Sequence, residues 1–370
     1  MRIKSIDFLR GLAIILVLFR HIDFVPMAHL IGWSGVDLFF VLSGFLVSGL
    51  LFNEYKKTNT IQPFKFLIRR GFKIYPLFWA TIIYIIIAHQ ITGFGTNSKA
   101  LMAELFFYQN YTYSSLFGVT WSLAVEEHFY ILLIISISLA VKFKTLENKK
   151  GFHFLAITVL AYCLTARVIT TYQIPQYNYI THYTPTHLRI DALTFGVIIA
   201  YNYYFNKAWF IAFANKYKAY IVAASLLFLL PLFGWDSDTV FMRTVGFTFI
   251  YLGFGCILTL FVGVHNITDI LQKFVSKFAF NLVSKIGMYS YAIYLTHLLV
   301  LTFIKRIMIR MLQVEMSNAL LFVLYMVCSV LVGMLVTYIV EKPMLELREK
   351  WFPNTKKKPS VQKIPQLQTA

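Results

Sequence analysis

The sequence predicts an all-α protein: a polytopic transmembrane helical bundle of about ten spans with both termini cytoplasmic. Composition is the first reason, because 58% of the 370 residues are hydrophobic and only 14% are charged, whereas about a quarter are charged in soluble globular chains. Apolar stretches of about 20 residues, long enough to cross a bilayer, recur along the chain. Lysine and arginine are also abundant in every second connection between these stretches and scarce in the others. These features exclude a disordered chain, a collagen-like fibre and an ordinary cytosolic enzyme.

The expected spans follow the apolar stretches in chain order. They are 8–26, 32–52, 73–91, 118–141, 152–171, 188–206, 218–233, 240–264, 287–309 and 318–340. Lysine and arginine concentrate at the N-terminus, in alternate loops and after Glu341, which the positive-inside rule places in the cytoplasm. We therefore expect a multi-pass protein of the cell inner (cytoplasmic) membrane. Lys305, Arg306 and Arg310 are the exception near the outer face: they snorkel, line a vestibule for an anionic acceptor, or mark a misplaced span.

The chain is expected to have two regions. Residues 1–345 form a membrane domain, and residues 346–370 form a basic cytoplasmic tail that is disordered and close to anionic lipid. The net charge of +18 then reflects topology and contact with membrane lipids, so no nucleic-acid partner is expected. No residue spacing indicates a metal site, and neither a P-loop nor a Rossmann fingerprint is present.

Ionisable residues within spans are costly and are therefore functional candidates. Arg10 and His21 lie eleven residues apart in the first span, so on a continuous helix they share one face about 16 Å apart. Glu126 lies about 12 Å into the fourth span, at a depth comparable to that of His21. A carboxylate at that depth can orient an imidazole that abstracts a hydroxyl proton. A packed histidine and a structural ion pair are the alternatives.

Three more groups of polar residues need partners in or beside the membrane. Arg69 and Arg70 at the entrance of the third span can hold phosphates, or serve topology and lipid headgroup contact. Arg189 and Asp191 form either a structural salt bridge or a substrate contact. His297 is the polar group of the ninth span most in need of a partner.

Taken together, these segments resemble the acyltransferase family 3 integral-membrane acyltransferases along nearly the whole chain. The motifs that carry the resemblance are Arg10 with His21, Phe39-Phe40-x-x-Ser43-Gly44, Arg69-Arg70 with Tyr75-Pro76, Trp121-Ser122-Leu123-x-x-Glu126, Arg189-x-Asp191, Ser290-Tyr291-x-x-Tyr294-Leu295-x-His297 and Glu341-Lys342-Pro343. Any one of these motifs is weak, but seven in the family's order are specific.

The resemblance implies an enzyme, an acyltransferase for groups other than aminoacyl groups. It implies transfer of an acyl group, usually acetyl, from cytoplasmic acyl-CoA to a hydroxyl of an extracytoplasmic carbohydrate or glycolipid, without a metal. It implies that His21 and Glu126 are catalytic. The implied substrate-binding residues are Arg10, Ser43, Arg69, Arg70, Lys73, Tyr75, Trp121, Ser122, Arg189, Asp191, Tyr294 and His297.

Three positions depart from the family pattern. Arg20 precedes His21, where an apolar residue is more common, and His128 stands where glutamine is common. Lys73 replaces a common arginine, which keeps the charge but weakens bidentate contact with phosphate. Arg20 lowers the basicity of His21 if both face one pocket.

The expected mechanism places the donor phosphates at Arg69 and Arg70 and the thioester near His21. His21, oriented by Glu126, acts as general base for direct attack by the acceptor hydroxyl, and a covalent acyl-histidine is the less favoured variant. The oxyanion is stabilised by Trp121-Ser122 or by Arg189.

The acceptor stays open among lipopolysaccharide O-antigen, capsule or exopolysaccharide, peptidoglycan, a glycolipid and a small antibiotic. The lack of a hydrolase-like extracytoplasmic domain in the sequence disfavours a two-step peptidoglycan route. An alternative function is a secondary transporter, in which His21, Glu126, Arg189 and Asp191 form a proton and anion path. The sequence shows neither an inverted repeat nor a pair of broken helices, which disfavours this alternative. A non-catalytic membrane sensor is the third possibility.

Overall fold

Helices account for the regular structure of the chain. The computed structural model describes residues 3–93, 95–112, 116–308 and 317–353, and these ranges contain helices and no strand. The α-helices are α1 Lys4–Phe19, α2 Pro26–Ile31, α3 Gly35–Thr58, α4 Pro63–Thr92, α5 Ser98–Leu105, α6 Trp121–Lys142, α7 Lys149–Gln173, α8 Tyr179–His182, α9 Thr186–Phe205, α10 Lys207–Lys216, α11 Lys218–Leu229, α12 Pro231–Gly234, α13 Phe247–Gly263, α14 Ile267–Phe274, α15 Lys277–Met288, α16 Ser290–Arg306, α17 Asn318–Val336 and α18 Lys342–Trp351. The expected all-α membrane fold is confirmed.

The number of spans is lower than ten when length and apolar character are both required. Among the described residues, six helices are long and apolar enough to cross a membrane, or up to eight if two bent pairs each count as one span. Helices α1 and α9 occupy the other two expected segments. Helix α1 has only 16 residues, and the 20 residues of α9 include Arg189, Asp191 and several tyrosines, which make it more polar.

Two pairs of consecutive helices are sharply bent near the starts of expected spans. The α10–α12 region turns by 78° after Lys216, and α15 meets α16 at 80° after Met288. Both bends lie at or beside connections that contain lysine, since Lys216 and Lys218 flank the first and Lys285 precedes the second. Each pair is a broken span or a re-entrant loop, whereas the sequence was expected to contain no pair of broken helices.

Two ends of helices also differ from expectation. Helix α1 stops at Phe19, and residues 20–25 form turns before α2, whereas the first span was expected to continue to residue 26. Helix α4 begins at Pro63, so Arg69, Arg70 and Lys73 lie on its first turns rather than in a loop. Proline fits the first helical turn because it lacks an N–H group that would need a partner there.

Helix α18 continues six residues into the segment that was expected to be a disordered tail. It ends at Trp351, whose ring lies 5.9 Å from that of Phe72 on α4. Residues 354–370 of the expected tail lie outside the described residues, as does Arg310 of the outer basic group.

Glycines let the central helices approach closely. A Cβ atom added at Gly44 of α3 would collide with the carbonyl oxygen of Leu193 on α9, and one added at Gly196 of α9 would collide with that of Val41 on α3. Close contact through small residues is typical of helix pairs in membranes. This contact fixes the relative position of α3 and α9.

The start of α6 is anchored by a buried carboxyl group. Glu104 of α5 is fully buried, and its Oε1 accepts a hydrogen bond of 2.9 Å from Oγ1 of Thr120, the residue before Trp121. Burial raises the pKa of Glu104 from 4.5 to about 7. The folded protein therefore favours the protonated form of this group.

We expect the stability of the protein to fall as the pH rises from about 5 to 8. The pKa of Glu104 is raised on folding, so its contribution is fully present below pH 4.5 and is lost as the pH passes about 7. The thermal midpoint in detergent should show this loss, and Glu104→Gln should flatten the curve. Glu346→Gln, which removes an exposed carboxylate, is the control. An unchanged pH dependence in Glu104→Gln would contradict the prediction.

Candidate active site

Three cavities follow one another between the two faces of the bundle. The first cavity lies at the beginning of α1 and the end of α3, beside Ile3 and Asn53. We call it the basic-side cavity, because lysine and arginine concentrate at this face of the bundle. It shares Arg10 with the central cavity, which has a volume of about 860 Å³. The central cavity in turn shares Tyr294 with the far-side vestibule, at the end of α1 and the beginning of α6.

Half of the fourteen candidate residues line the central cavity. These are Arg10, Ser43, Arg70, Lys73, Ser122, Glu126 and Tyr294. They come from α1, α3, α4, α6 and α16, so five segments that are distant in sequence meet here. His21 and Trp121 line the far-side vestibule. The candidates that line none of these three cavities are Arg69, Tyr75, Arg189, Asp191 and His297.

The central cavity joins cationic groups to an apolar wall. The Arg70 guanidinium lies 4.4 Å above the Tyr130 ring, and its Nε atom is buried without a hydrogen-bond partner in the described part of the chain. The Tyr130 hydroxyl is 2.6 Å from Oγ of Ser43. Glu126 interacts electrostatically with both Arg10 and Arg70. The cavity therefore presents two guanidinium groups beside one carboxylate, which suits an anionic ligand.

Two of the cations that were expected to bind phosphate, Arg69 and Lys73, instead form salt bridges with residues in or beside α18. Arg69 forms a salt bridge of 2.6 Å with Glu349 and also donates to the backbone carbonyl of Phe352. Lys73 lines the central cavity but forms a salt bridge with Glu341. Of these neighbouring cations on α4, Arg70 is therefore the one without a salt bridge among the described residues.

Arg189 and Asp191 belong to two different buried ion pairs. Arg189 binds Asp37 at 2.6 Å, and Asp191 binds Arg167 at 2.6 Å. The Arg189 guanidinium also lies within 5 Å of the Tyr183 and Phe247 ring centroids. Protein partners account for both charges, so the salt-bridge alternative describes these residues better than substrate contact, although the two residues do not pair with each other.

Tyr75 is similarly engaged within the protein. Its hydroxyl donates a hydrogen bond of 2.9 Å to Oε2 of Glu127, and neither residue lines the central cavity. This hydrogen bond joins α4 to α6.

The structure does not bring His21 and Glu126 together. They line different cavities with Tyr294 at the boundary, and no hydrogen bond joins them among the described residues. The expected alignment assumed a helix through residue 26, but His21 follows the end of α1 and lies in a turn. The neighbour of the His21 ring is instead His297, with the ring centroids 4.9 Å apart.

Tyr294 is held at the boundary between the two cavities. Its hydroxyl donates to the carbonyl oxygen of Val119 at 2.9 Å and lies 2.7 Å from Oγ of Ser122. Because these partners precede or begin α6, they fix the Tyr294 ring between the chamber that contains Glu126 and the one that contains His21.

The far-side vestibule combines aromatic rings with polar and charged groups. It has a volume of about 1290 Å³, and its lining is rich in aromatic rings. These rings belong to Trp33, Trp121, Tyr177, Tyr179, Tyr183 and Tyr294. Asp236 and Asp238, both exposed, and Arg20 add charged groups near the opening. Flat rings with hydrogen-bonding groups at their edges suit a ligand with apolar faces and hydroxyl groups.

Three residues that contact the candidate residues were not recognised from the sequence. Tyr130 lies one helical turn after Glu126, so the spacing of four residues on α6 was a sufficient signal. Asp37 and Arg167 are ionisable residues within expected spans, and the rule that singled out Arg189 applied to both of them. Among the described residues, no group of three histidines, cysteines or carboxylates is arranged to hold a metal ion.

Comparison with known proteins places the chain in a family. Residues 3–338 match a family model described as an acyltransferase domain. The peptidoglycan O-acetyltransferase OatA of Listeria monocytogenes is 30% identical over 319 residues, which cover 81% of this chain and 49% of that protein. A putative O-acetyltransferase of Staphylococcus aureus strain COL is 27% identical over 332 residues, or 82% of this chain and 51% of that protein.

A shorter match supports the same assignment. A putative peptidoglycan O-acetyltransferase of Bacillus subtilis, YrhL, is 30% identical over 146 residues, which cover 35% of this chain and 23% of that protein. The chain spans about half the length of the first two relatives. No solved structure gives a significant match. Because the family model covers nearly the whole chain and its motifs line the central cavity, the chain belongs to acyltransferase family 3.

Proposed function

We propose that the protein is an integral-membrane O-acetyltransferase that transfers an acetyl group from cytoplasmic acetyl-CoA to a hydroxyl of a cell-wall glycan outside the membrane. The family and the peptidoglycan O-acetyltransferase from Listeria support the reaction and the acceptor class. In this proposal the protein is a multi-pass protein of the cell inner membrane, the basic face is cytoplasmic and the far-side vestibule opens outward.

The series of cavities is the observation that carries the proposal. Arg10 joins the basic-side cavity to the central cavity, and Tyr294 joins the central cavity to the vestibule that contains His21. A donor with phosphates and a long thioester arm fits such a path, because cations lie on its inner part and a potential base lies beyond them. We assign Arg10 and Arg70 to the donor and the aromatic vestibule to the acceptor.

The chemical step takes place at the boundary near Tyr294. His21 accepts the proton of the acceptor hydroxyl, and the hydroxyl oxygen attacks the thioester carbonyl carbon. The tetrahedral intermediate then collapses, the carbon–sulfur bond breaks, and the leaving thiolate takes the proton from His21. The products are the O-acetyl ester and CoA. We assign the oxyanion to the Trp121-Ser122 segment at the start of α6 rather than to Arg189, whose guanidinium is bound to Asp37.

Glu126 has a different role in this proposal from the one the sequence suggested. It lies in the central cavity with Arg10 and Arg70 rather than beside His21. Its carboxylate lines the same cavity as the two guanidinium groups and limits the net positive charge there. Loss of Glu126 therefore acts on donor binding before it acts on the proton transfer.

The decisive experiment measures turnover of radiolabelled acetyl-CoA by the purified protein in detergent. We expect His21→Ala to lower hydrolysis or exchange by about 100-fold, since general base catalysis contributes about 10²–10⁴-fold. His265→Ala, which alters an exposed histidine distant in sequence, is the matched control. Equal activity of His21→Ala and the wild type would remove His21 from the mechanism.

One observation favours the transporter alternative. The two bent helix pairs resemble the interrupted helices of secondary transporters. A transporter would move its substrate across a proteoliposome membrane in response to a proton gradient and without acyl-CoA. An acetyltransferase would release CoA in detergent, where no gradient exists.

A further inference from the structure

We propose that His297 is the positioning residue for His21, a role that rests on the proposed function. His297 lies on α16 and is fully buried, and its ring centroid is 4.9 Å from that of His21 with the ring planes at 47°. His297 lines none of the three cavities, so it reaches the reaction only through its neighbour. This location distinguishes it from a residue that binds substrate.

The hydrogen bonds of His297 define which of its nitrogens carries the proton. Its Nδ1 lies 2.6 Å from the backbone carbonyl oxygen of Tyr294. A carbonyl oxygen only accepts hydrogen bonds, so Nδ1 is the donor and the neutral ring has its lone pair on Nε2. That Nε2 atom is buried and has no hydrogen-bond partner among the described residues. Buried polar atoms without a partner are rare and call for an explanation.

His21 can supply the missing donor. It lies in the turn after α1 rather than within the helix, and its side chain has no hydrogen bond in the described part of the protein. At a centroid separation of 4.9 Å, rotation of the His21 ring brings one of its nitrogens within hydrogen-bond distance of Nε2 of His297. The N–H of one His21 nitrogen then donates to His297, which leaves the other nitrogen free to accept a proton in the vestibule.

This arrangement performs the task that a carboxylate performs in a catalytic triad. The partner fixes the tautomer and orientation of the base, and its hydrogen bond strengthens as the base becomes an imidazolium. Here the partner is a neutral imidazole. His297 itself gains no proton, and its Nδ1 stays bound to Tyr294, the residue at the cavity boundary.

Two substitutions separate positioning from a structural role. In His297→Asn, the short amide can keep the hydrogen bond to Tyr294 but has no group at the position of Nε2. In His297→Gln, the longer amide places an acceptor near that position. We expect kcat to fall about 100-fold in His297→Asn with the KM for acetyl-CoA changed less than twofold, and His297→Gln to be at least tenfold more active than His297→Asn. Equal activity, or greater activity of His297→Asn, would overturn the proposal.

A double variant tests whether His297 acts through His21. Residues that act as a unit show strongly non-additive effects. We therefore expect His21→Ala/His297→Asn to be no less active than His21→Ala. A further tenfold loss in the double variant would show an independent role for His297. Retention of wild-type activity by His21→Ala would instead contradict the proposed function.

One measurement reads the tautomer of His297 in the wild-type protein and uses a variant only to assign the signal. In the wild-type protein labelled with ¹⁵N-histidine, the nitrogen chemical shifts distinguish the two neutral tautomers. We expect the His297 signal, assigned by its loss in His297→Gln, to show the proton on Nδ1. A proton on Nε2 would leave His21 without an acceptor and would overturn the proposal.

Discussion

Arg189→Leu is expected to lower the free energy of unfolding by about 3–5 kcal/mol, the cost of removing one partner from a buried ion pair. Arg189 and Asp37 are both 1% exposed and lie 2.6 Å apart. The second carboxylate oxygen of Asp37 already has no partner among the described residues. The substitution would leave that charge buried between α3 and α9 without a counter-ion. Thermal unfolding in detergent would measure the loss.

Two further variants make this result specific. Arg189→Met/Asp37→Leu removes both charges, and we expect it to recover most of the lost stability, because apolar replacement of a whole buried pair is often neutral. Arg306→Leu changes an exposed arginine and should stay within about 0.5 kcal/mol of the wild type. If Arg189→Leu were as stable as the wild type, the pair would contribute nothing to the fold. A stable but inactive double variant would restore Arg189 as a substrate contact.

The membrane fold and the family could be predicted because they depend on local features. Apolar runs indicate spans wherever they occur, and the motif Trp121-Ser122-Leu123-x-x-Glu126 requires no knowledge of what packs around it. Charged residues in or beside expected spans could also be selected from the sequence, and Arg10, Arg70, Lys73 and Glu126 line the central cavity. Hydropathy was less informative about bends, since it does not give the 80° change of direction between α15 and α16.

The partners of those residues could not be predicted from their spacing. The link between His21 and Glu126 relied on similar depth in the membrane, but equal depth does not place two side chains in one cavity. A helix that ends at Phe19 instead of residue 26 is enough to change the neighbour of His21 from Glu126 to His297. Asp37 with Arg189, and Asp191 with Arg167, are likewise joined by tertiary packing between helices that are distant in sequence.

The partners of Arg69 and Arg70 could not be predicted either, although the two residues belong to a single motif. Consecutive residues on a helix point about 100° apart, so two adjacent arginines need not share a partner. From the sequence we expected one shared role for them, whereas the structure turns Arg69 towards Glu349 on α18 and Arg70 towards Tyr130 in the central cavity. This separation gives a test that the motif alone did not suggest.

Arg70→Ala is expected to raise the KM for acetyl-CoA by about 10- to 100-fold, while Arg69→Ala raises it less than threefold. A hydrogen bond to a charged group contributes about 1.5–3 kcal/mol, and each 1.4 kcal/mol corresponds to a tenfold change in affinity. Arg70 has a free, buried Nε and lines the cavity proposed for the donor. The guanidinium of Arg69 is already bound to Glu349 and to the carbonyl of Phe352.

Donor binding by purified Arg69→Ala, Arg70→Ala and Arg70→Lys proteins would decide between the two arginines. Arg70→Lys should recover only part of the affinity, because lysine keeps the charge but not the planar, bidentate donor. Glu349→Gln provides the complementary control, since it weakens the salt bridge that holds Arg69 and leaves Arg70 unchanged. If Arg69→Ala weakened donor binding more than Arg70→Ala, the phosphates would bind between α4 and α18. The α18 contacts of Arg69 would then have to open before the donor could enter the central cavity.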